Sequence, residues 1–267
     1  MVIGKTCIRR CGSLCGIATF HQQATKLGNL GRCAIRHPSW IPEYLRGRVL
    51  RCGESEFSLT PYARVVADAR TTVCDAVGVA SAEYDEAIMA EWWPQRPDDH
   101  QAGRANMGTI MRAVTRLTRP QVAVETGVAR GVTTAATLQA MEDNGIGHLY
   151  SVDLPPLGAP SGYVGQLVPA RLRHRWTLRS GPSRRILPQL LAEVGVIDLF
   201  LHDAEHTYSS QMVEFETVWP HLRSGGLLLA DDVRNPAIID FARRAGTPLR
   251  LIGEVTDIDG VGLLKKP

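Results

Sequence analysis

Apolar residues keep two rhythms along this chain, and the change from one to the other marks how it is organised. Between Phe57 and Val77 the positions Leu59, Tyr62, Val65, Val66, Ala69, Val73 and Val77 recur at a helical period. Gly78 interrupts the pattern. Ser81 then offers an N-cap, and Tyr84, Ala87, Ile88 and Trp92 lie on one face of a second helix that Pro94 and Pro97 close. Asp98 or Asp99 can cap a third helix running to about Leu117, with Met107, Ile110, Met111, Val114 and Leu117 on one stripe, and Pro120 stops it.

Beyond Pro120 short apolar runs alternate with helical stretches. Strands are expected at Val122–Val124, Leu149–Val152, Trp176–Ser180, Val196–Leu201 and Leu227–Ala230. Helices are expected at Val132–Met141, Ser183–Glu193 and Ser209–Leu222, the last with Met212, Phe215, Val218, Trp219 and Leu222 turned inward. Segments 248–253 and 261–264, joined by Asp259-Gly260, read as a closing hairpin at the sheet edge. Repeated βα units with short loops imply an α/β fold, a doubly wound and mostly parallel sheet of seven strands. The chain divides into a poorly ordered leader (1–40), a helical N-terminal extension (41–97) and an α/β domain (98–267).

Composition narrows the classes. Hydrophobic residues at 44% and charged ones at 21% are ordinary for a globular protein. A net charge of +3 and arginines without interleaved aromatics argue against a nucleic-acid partner. No apolar run reaches the ~18 residues of a membrane span, and the N-terminus lacks the apolar core of a signal peptide, so the expected location is the cytoplasm. Cys7, Cys11 and Cys15 fall four apart, but without a Cys-x-x-Cys pair or matching histidines they do not describe a zinc site.

Ligands of open α/β sheets bind beyond the carboxyl ends of the strands, and here acids follow the strands: Glu125, Asp153, Asp203, then Asp231 and Asp232. After the first strand, Gly127 and Gly131 make a turn leading into a helix, a geometry that glycine permits where the backbone turns sharply or a ligand comes close. The spacing is not the dinucleotide Gly-x-Gly-x-x-Gly. Asp153 suits a ribose diol, with a helix cap as the plainer alternative. Asp203, Asp231 and Asp232 would repel one another unless protonated or bridged by a cation; their oxygen donors suit Mg²⁺, Mn²⁺ or Ca²⁺. Helix capping or pairing with Arg234 is the competing role. His206, three residues after Asp203, is placed to take a proton from a hydroxyl bound to such an ion, whereas His202 reads as packing.

These residues resemble the class I S-adenosylmethionine-dependent O-methyltransferases, on the cation-dependent branch of catechol and caffeoyl-CoA O-methyltransferases. They are also similar to bacterial natural-product and sugar O-methyltransferases. The likeness covers about residues 100–265. Glu125-Thr-Gly-Val-Ala-Arg-Gly-Val-Thr133 is similar to the loop holding the cofactor's methionine part, which implicates Glu125, Gly127, Gly131 and Thr133. Asp153 falls on the ribose position, and Pro182, Ser183 and Arg184 fall beside the adenine. Asp203, also a cofactor-site residue, shares the metal positions with Asp231 and Asp232, and His206 falls on the base position. The branch commonly has Lys where His206 stands and Asn where Asp232 stands.

The resemblance implies a Rossmann-like methyltransferase fold, S-adenosyl-L-methionine as cofactor, a divalent cation, and a small-molecule hydroxylated acceptor of catechol-like, phenolic or sugar/natural-product type. The N-terminal helices would cover the acceptor or make a homodimer contact. Metal-independent transfer and a non-catalytic cofactor-binding protein stand as alternatives. A nicotinamide-dependent dehydrogenase is disfavoured by the missing dinucleotide fingerprint.

Overall fold

A computed structural model describes residues 40–42, 62–89, 102–231, 233, 236–252 and 260–267. The leader up to residue 39, Trp92–Trp93, the proposed caps Asp98 and Asp99, Asp232 and Arg234 lie outside the described residues. Among the described residues no helix is long and apolar enough to cross a membrane.

Helices α1 (Tyr62–Val77), α2 (Ser81–Met89) and α3 (Ala102–Thr118) precede the alternating part. Ser81 begins α2 rather than capping it; the Ala80 amide instead donates to the Glu83 side chain, three residues on. Strand β1 (Val122–Thr126), helix α4 (Val132–Asn144) and strand β2 (His148–Asp153) follow. A 3-10 turn (Ala170–Arg175) leads into β3 (Trp176–Ser180), then α5 (Ser183–Val194), β4 (Ile197–His202), α6 (Tyr208–Val218), β5 (Leu222–Ala230), α7 (Ala237–Ala245), β6 (Arg250–Ile252) and β7 (Val261–Lys265).

The sheet order is β3-β2-β1-β4-β5-β7-β6. Strands β1 to β5 pair in parallel, while β7 is antiparallel to both β5 and β6. The expected hairpin is therefore present, with its second strand inserted beside β5. Strand order reverses between β1 and β4, the switch point at which open sheets bind ligands.

Successive strand residues face opposite layers, so Ala123 packs with α1, α3 and α4, and Val124 with α5, α6 and α7. Val73, Tyr84, Ile110 and Val114 join Leu138, Leu149, Leu201 and Leu263 on the first face. Phe200, Leu190, Phe215 and Phe241 fill the second. Each such fully buried Leu or Phe contributes about 1.5–3 kcal/mol relative to leaving it in water. Helix α1 is fastened to the far end of the sheet: the Thr72 hydroxyl donates to the Leu251 carbonyl at 3.3 Å and Lys265 Nζ to the Ala76 carbonyl at 2.9 Å.

Two boundaries differ from the sequence expectation, each for a local reason. Pro220 has no amide to continue α6, so the helix ends at Val218 and Leu222 opens β5, paired with Ile197. Val196 lies outside β4 and is 64% exposed. Asp198, the one acid in β4, has a structural task. It accepts from the amides of Gln121 and Val122 at the start of β1 and from the Arg223 guanidinium. Helix α7 was not anticipated, although Ile238, Phe241 and Ala242 form its buried stripe.

Candidate functional site

Strand register places the acids. Val152, Thr126, His202 and Ala230 are register partners across β2, β1, β4 and β5. One residue past that row stand Asp153, Gly127, Asp203 and Asp231. The ladder continues through them: Gly127 N donates to the Val152 carbonyl at 2.9 Å, Asp203 N to Thr126 at 2.8 Å, and Asp231 N to His202 at 2.9 Å. With neighbouring strands roughly 4.8 Å apart, Asp203 and Asp231 are adjacent, and Asp153 stands across β1 from them. Asp232, the remaining member of the expected metal set, lies outside the described residues.

Glu125 is one residue short of the row and 1% exposed. Its Oε1 accepts from Thr134 Oγ1 of α4 at 2.7 Å and from Ser151 Oγ of β2 at 2.6 Å, and Ser151 in turn accepts from the Trp176 indole at 2.7 Å. Oε2 has no hydrogen-bond partner among the described residues. Burial pushes this carboxyl up to about 7, against the lowering effect of the Ser151 and Thr134 hydrogen bonds, and Asp153 adds a smaller upward push. Because the folded protein favours the protonated form, Glu125 makes stability fall as pH rises from 4.5 through about 7, by about 3 kcal/mol in all. Urea denaturation of the cofactor-free protein between pH 5 and 8 is expected to show this slope. Glu125→Gln should flatten it; an unchanged slope would refute the assignment.

The glycine turn owes its composition to the protein backbone before any ligand. At Gly127 (φ +86°) a Cβ would stand 1.8 Å from the Asp203 carbonyl oxygen. At Gly131 (φ +92°), which caps α4, it would meet Val168 Cγ2 at 2.8 Å. Thr133 is buried in the first turn of α4, while its neighbour Thr134 is the residue that reaches Glu125. The last part of the Gly- and Pro-containing loop after β2 braces this turn, with Gly165 N donating to the Ala129 carbonyl and Leu167 N to that of Arg130, each at 2.9 Å.

Asp153 is 7% exposed and holds the same turn: its Oδ2 accepts from the amides of Val128 at 2.7 Å and Ala129 at 2.9 Å. Oδ1 is buried with no hydrogen-bond partner among the described residues. Burial raises the carboxyl above the usual aspartate range, and the two amides pull it back. An acceptor oxygen of this kind fits a hydroxyl donor such as a ribose.

Beside it, the Gly181 amide donates to the Asp153 carbonyl at 2.8 Å, Pro182 caps α5, and Ser183 and Arg184 form its first turn. Arg184 leans towards Ser209 at 3.3 Å. Sequence reasoning missed Trp40, whose Nε1 comes within 3.4 Å of where a Cβ on Gly181 would stand. A tryptophan in an aperiodic stretch carries no signal of such a contact.

The Asp203 carboxylate, the His206 ring and the Asp231 carboxylate each offer a donor atom within 4.8 Å of the others. His206 Nε2 lies 3.9 Å from Asp203 Oδ1, too far for a hydrogen bond. Oxygen and nitrogen donors bind divalent ions at about 2.0–2.6 Å, so donors around one ion are about 4–5 Å apart or closer, and this trio fits. Beneath it His202 is fully buried, as its packing role required, and its Nδ1 is 2.7 Å from Glu214 Oε2. Glu214 is also fully buried. Burial would raise it, but the charge and hydrogen bond of His202 and the hydroxyls of Ser183 and Thr126 hold it below the ordinary glutamate range. Its polarity concealed it in the sequence, where the inward face of α6 was read from apolar residues alone.

Residues 124–233 match the family model described as a methyltransferase domain. No curated protein sequence matches the chain. The S-adenosylhomocysteine-bound methyltransferase PaMTH1 of Podospora anserina is similar in structure at 16% identity, covering 79% of this chain and 99% of its own, with a TM-score of 0.48. The TDP-rhamnose 3'-O-methyltransferase CalS11 of calicheamicin biosynthesis is similar at 20% identity over 74% of this chain and 93% of its own, with a TM-score of 0.49. Neither likeness bears on acceptor or metal. The matched segment runs from within β1 to just past β5 and includes the glycine turn, Asp153, Asp203 and Asp231. Over residues 124–233 the chain is therefore similar to a methyltransferase domain, laid on a seven-stranded sheet.

Proposed function

We propose that the protein transfers a methyl group to a hydroxyl oxygen of a small-molecule acceptor of catechol-like, phenolic or sugar/natural-product type, with a divalent cation at Asp203 and Asp231. The observation that carries this reading is the convergence of Asp203, His206 and Asp231 one strand-width from the glycine turn, in register with Asp153. S-adenosylmethionine supplies an electrophilic methyl on sulfur, so the protein has to place the acceptor oxygen in line and make it a better nucleophile. A divalent ion bound by these residues would lower the pKa of an acceptor hydroxyl, as metals do for water.

Asp153 Oδ1 accepts from the ribose, the turn from Gly127 to Gly131 and Thr133 bounds the methionine end, and Pro182, Ser183 and Arg184 border the adenine. Glu125, buried beneath that turn, favours the cationic end of the cofactor through its charge once ionised. His206 accepts the hydroxyl proton at a ring nitrogen.

The closeness of the His206 ring to both carboxylates favours a second reading, in which it is the third ligand of the ion. His206→Ala separates the two. If His206 is the base, Mn²⁺ binding measured by paramagnetic resonance should persist while methyl transfer to a catechol, phenol or sugar panel falls by about 100-fold or more. If it is a ligand, Mn²⁺ affinity falls as well. Transfer that is unchanged by EDTA would overturn the cation and leave metal-independent methylation.

A further inference from the structure

The fully buried Glu214 is not accounted for by the transfer chemistry. Its Oε2 accepts from Thr126 Oγ1 at 2.5 Å and from His202 Nδ1 at 2.7 Å. Each donor adjoins a site segment. Thr126 precedes Gly127, and His202 precedes Asp203. An apolar side chain would serve packing at least as well as a buried charged group, so stability does not explain a glutamate here. Its carboxylate offers about four acceptor sites, which suits several converging donors.

His202 Nε2 has no hydrogen-bond partner among the described residues, so the Glu214 contact is the polar anchor seen for that ring. The ring packs edge-on against His206, with centroids 5.6 Å apart, and against Phe215 at 5.7 Å. Glu214 thus holds the tip of β1 and the tip of β4 at a fixed separation.

We propose that Glu214 is the positioning residue of this crevice, a buried carboxylate that ties the ends of β1 and β4 into the arrangement on which S-adenosylmethionine binding depends. The proposal rests on the strand-tip crevice being the cofactor site.

Calorimetric titration with S-adenosylhomocysteine tests it, together with thermal melts, on the full chain and on Glu214→Gln, Thr126→Val, Thr126→Ser and the Glu214→Gln/Thr126→Val double variant. Each of Glu214→Gln and Thr126→Val should weaken binding about tenfold or more. The double variant should lose much less than the product of the two, because both act through one hydrogen bond, and Thr126→Ser, which keeps the hydroxyl, should bind as the parent does. A purely structural contribution would lower melting temperatures and leave the two affinity losses multiplicative, which overturns the proposal, as does parental affinity in Glu214→Gln. Should Glu214→Gln fail to fold, Thr126→Val against Thr126→Ser decides with the carboxylate intact: a loss of about tenfold in the valine variant alone supports the proposal, and equal affinity in the two overturns it. A parent chain that does not bind S-adenosylhomocysteine refutes the crevice reading itself.

Discussion

Gly127→Ala is expected to abolish S-adenosylhomocysteine binding and to destabilise the domain by about 3 kcal/mol or more, from left-handed strain together with overpacking against backbone. The new methyl would lie 1.8 Å from the Asp203 carbonyl oxygen and 2.9 Å from Ala204 Cα. Neither atom belongs to a side chain that can swing aside. Moving Asp203 would stretch its amide bond to the Thr126 carbonyl, and moving Gly127 would break its bond to Val152. Either adjustment displaces the row on which Asp153, Asp203 and Asp231 stand. Gly145→Ala is the control: it has a similar φ of +72°, but nothing lies within 4 Å of the added methyl, so only about 1 kcal/mol of backbone strain is expected. Denaturant titration of both variants, with calorimetry on the folded fraction, checks the contrast. Equal losses at the two positions would show that conformation, not the approach of β4, explains Gly127.

Asp153→Ala should weaken S-adenosylhomocysteine by at least about 100-fold, from two separable causes. Removing the carboxylate strips the Val128 and Ala129 amides of their acceptor. Each buried donor left unmade costs about 1–3 kcal/mol, and the turn carrying Gly127 and Gly131 loses its anchor. It also removes Oδ1, the buried oxygen available to a ribose hydroxyl. Asp153→Asn separates the causes, because its amide oxygen still serves the two backbone donors while its NH₂ group cannot accept from a hydroxyl. The asparagine variant is therefore expected to melt near the parent temperature and still lose about tenfold in affinity. Unweakened binding in both variants would remove Asp153 from the cofactor site.

Much of the architecture was legible because burial leaves a period. Strands covered on both faces read as unbroken apolar runs, which is how β1, β2 and β4 were located to within a residue or two. The acids that follow those runs stood out for the same reason, since a carboxylate directly after an apolar strand marks its end. Glu125 broke that logic. It follows Val122–Val124 as Asp153 follows Val152, yet β1 extends through Thr126 and leaves Glu125 inside, held by Thr134 and Ser151. A one-residue difference in where a strand ends separates a carboxylate at the strand tip from one held inside the strand. Leu222 was misplaced because an apolar residue four positions after Val218 satisfies a helical stripe as well as a strand; Pro220 decided the matter. Glu214 and Trp40 left no periodic trace at all.

The order of local elements, the absence of a dinucleotide fingerprint and the acids after the strands were decided by residue type and spacing, which act over a few positions. Which of those acids share a level, which carboxylate is sealed under the glycine turn and which one joins two strand ends were decided by strand register and helix docking. Those pairings join residues as far apart as Thr126 and Glu214, separated by 88 positions. No local preference encodes such a contact, because it exists only once the sheet has set its own order.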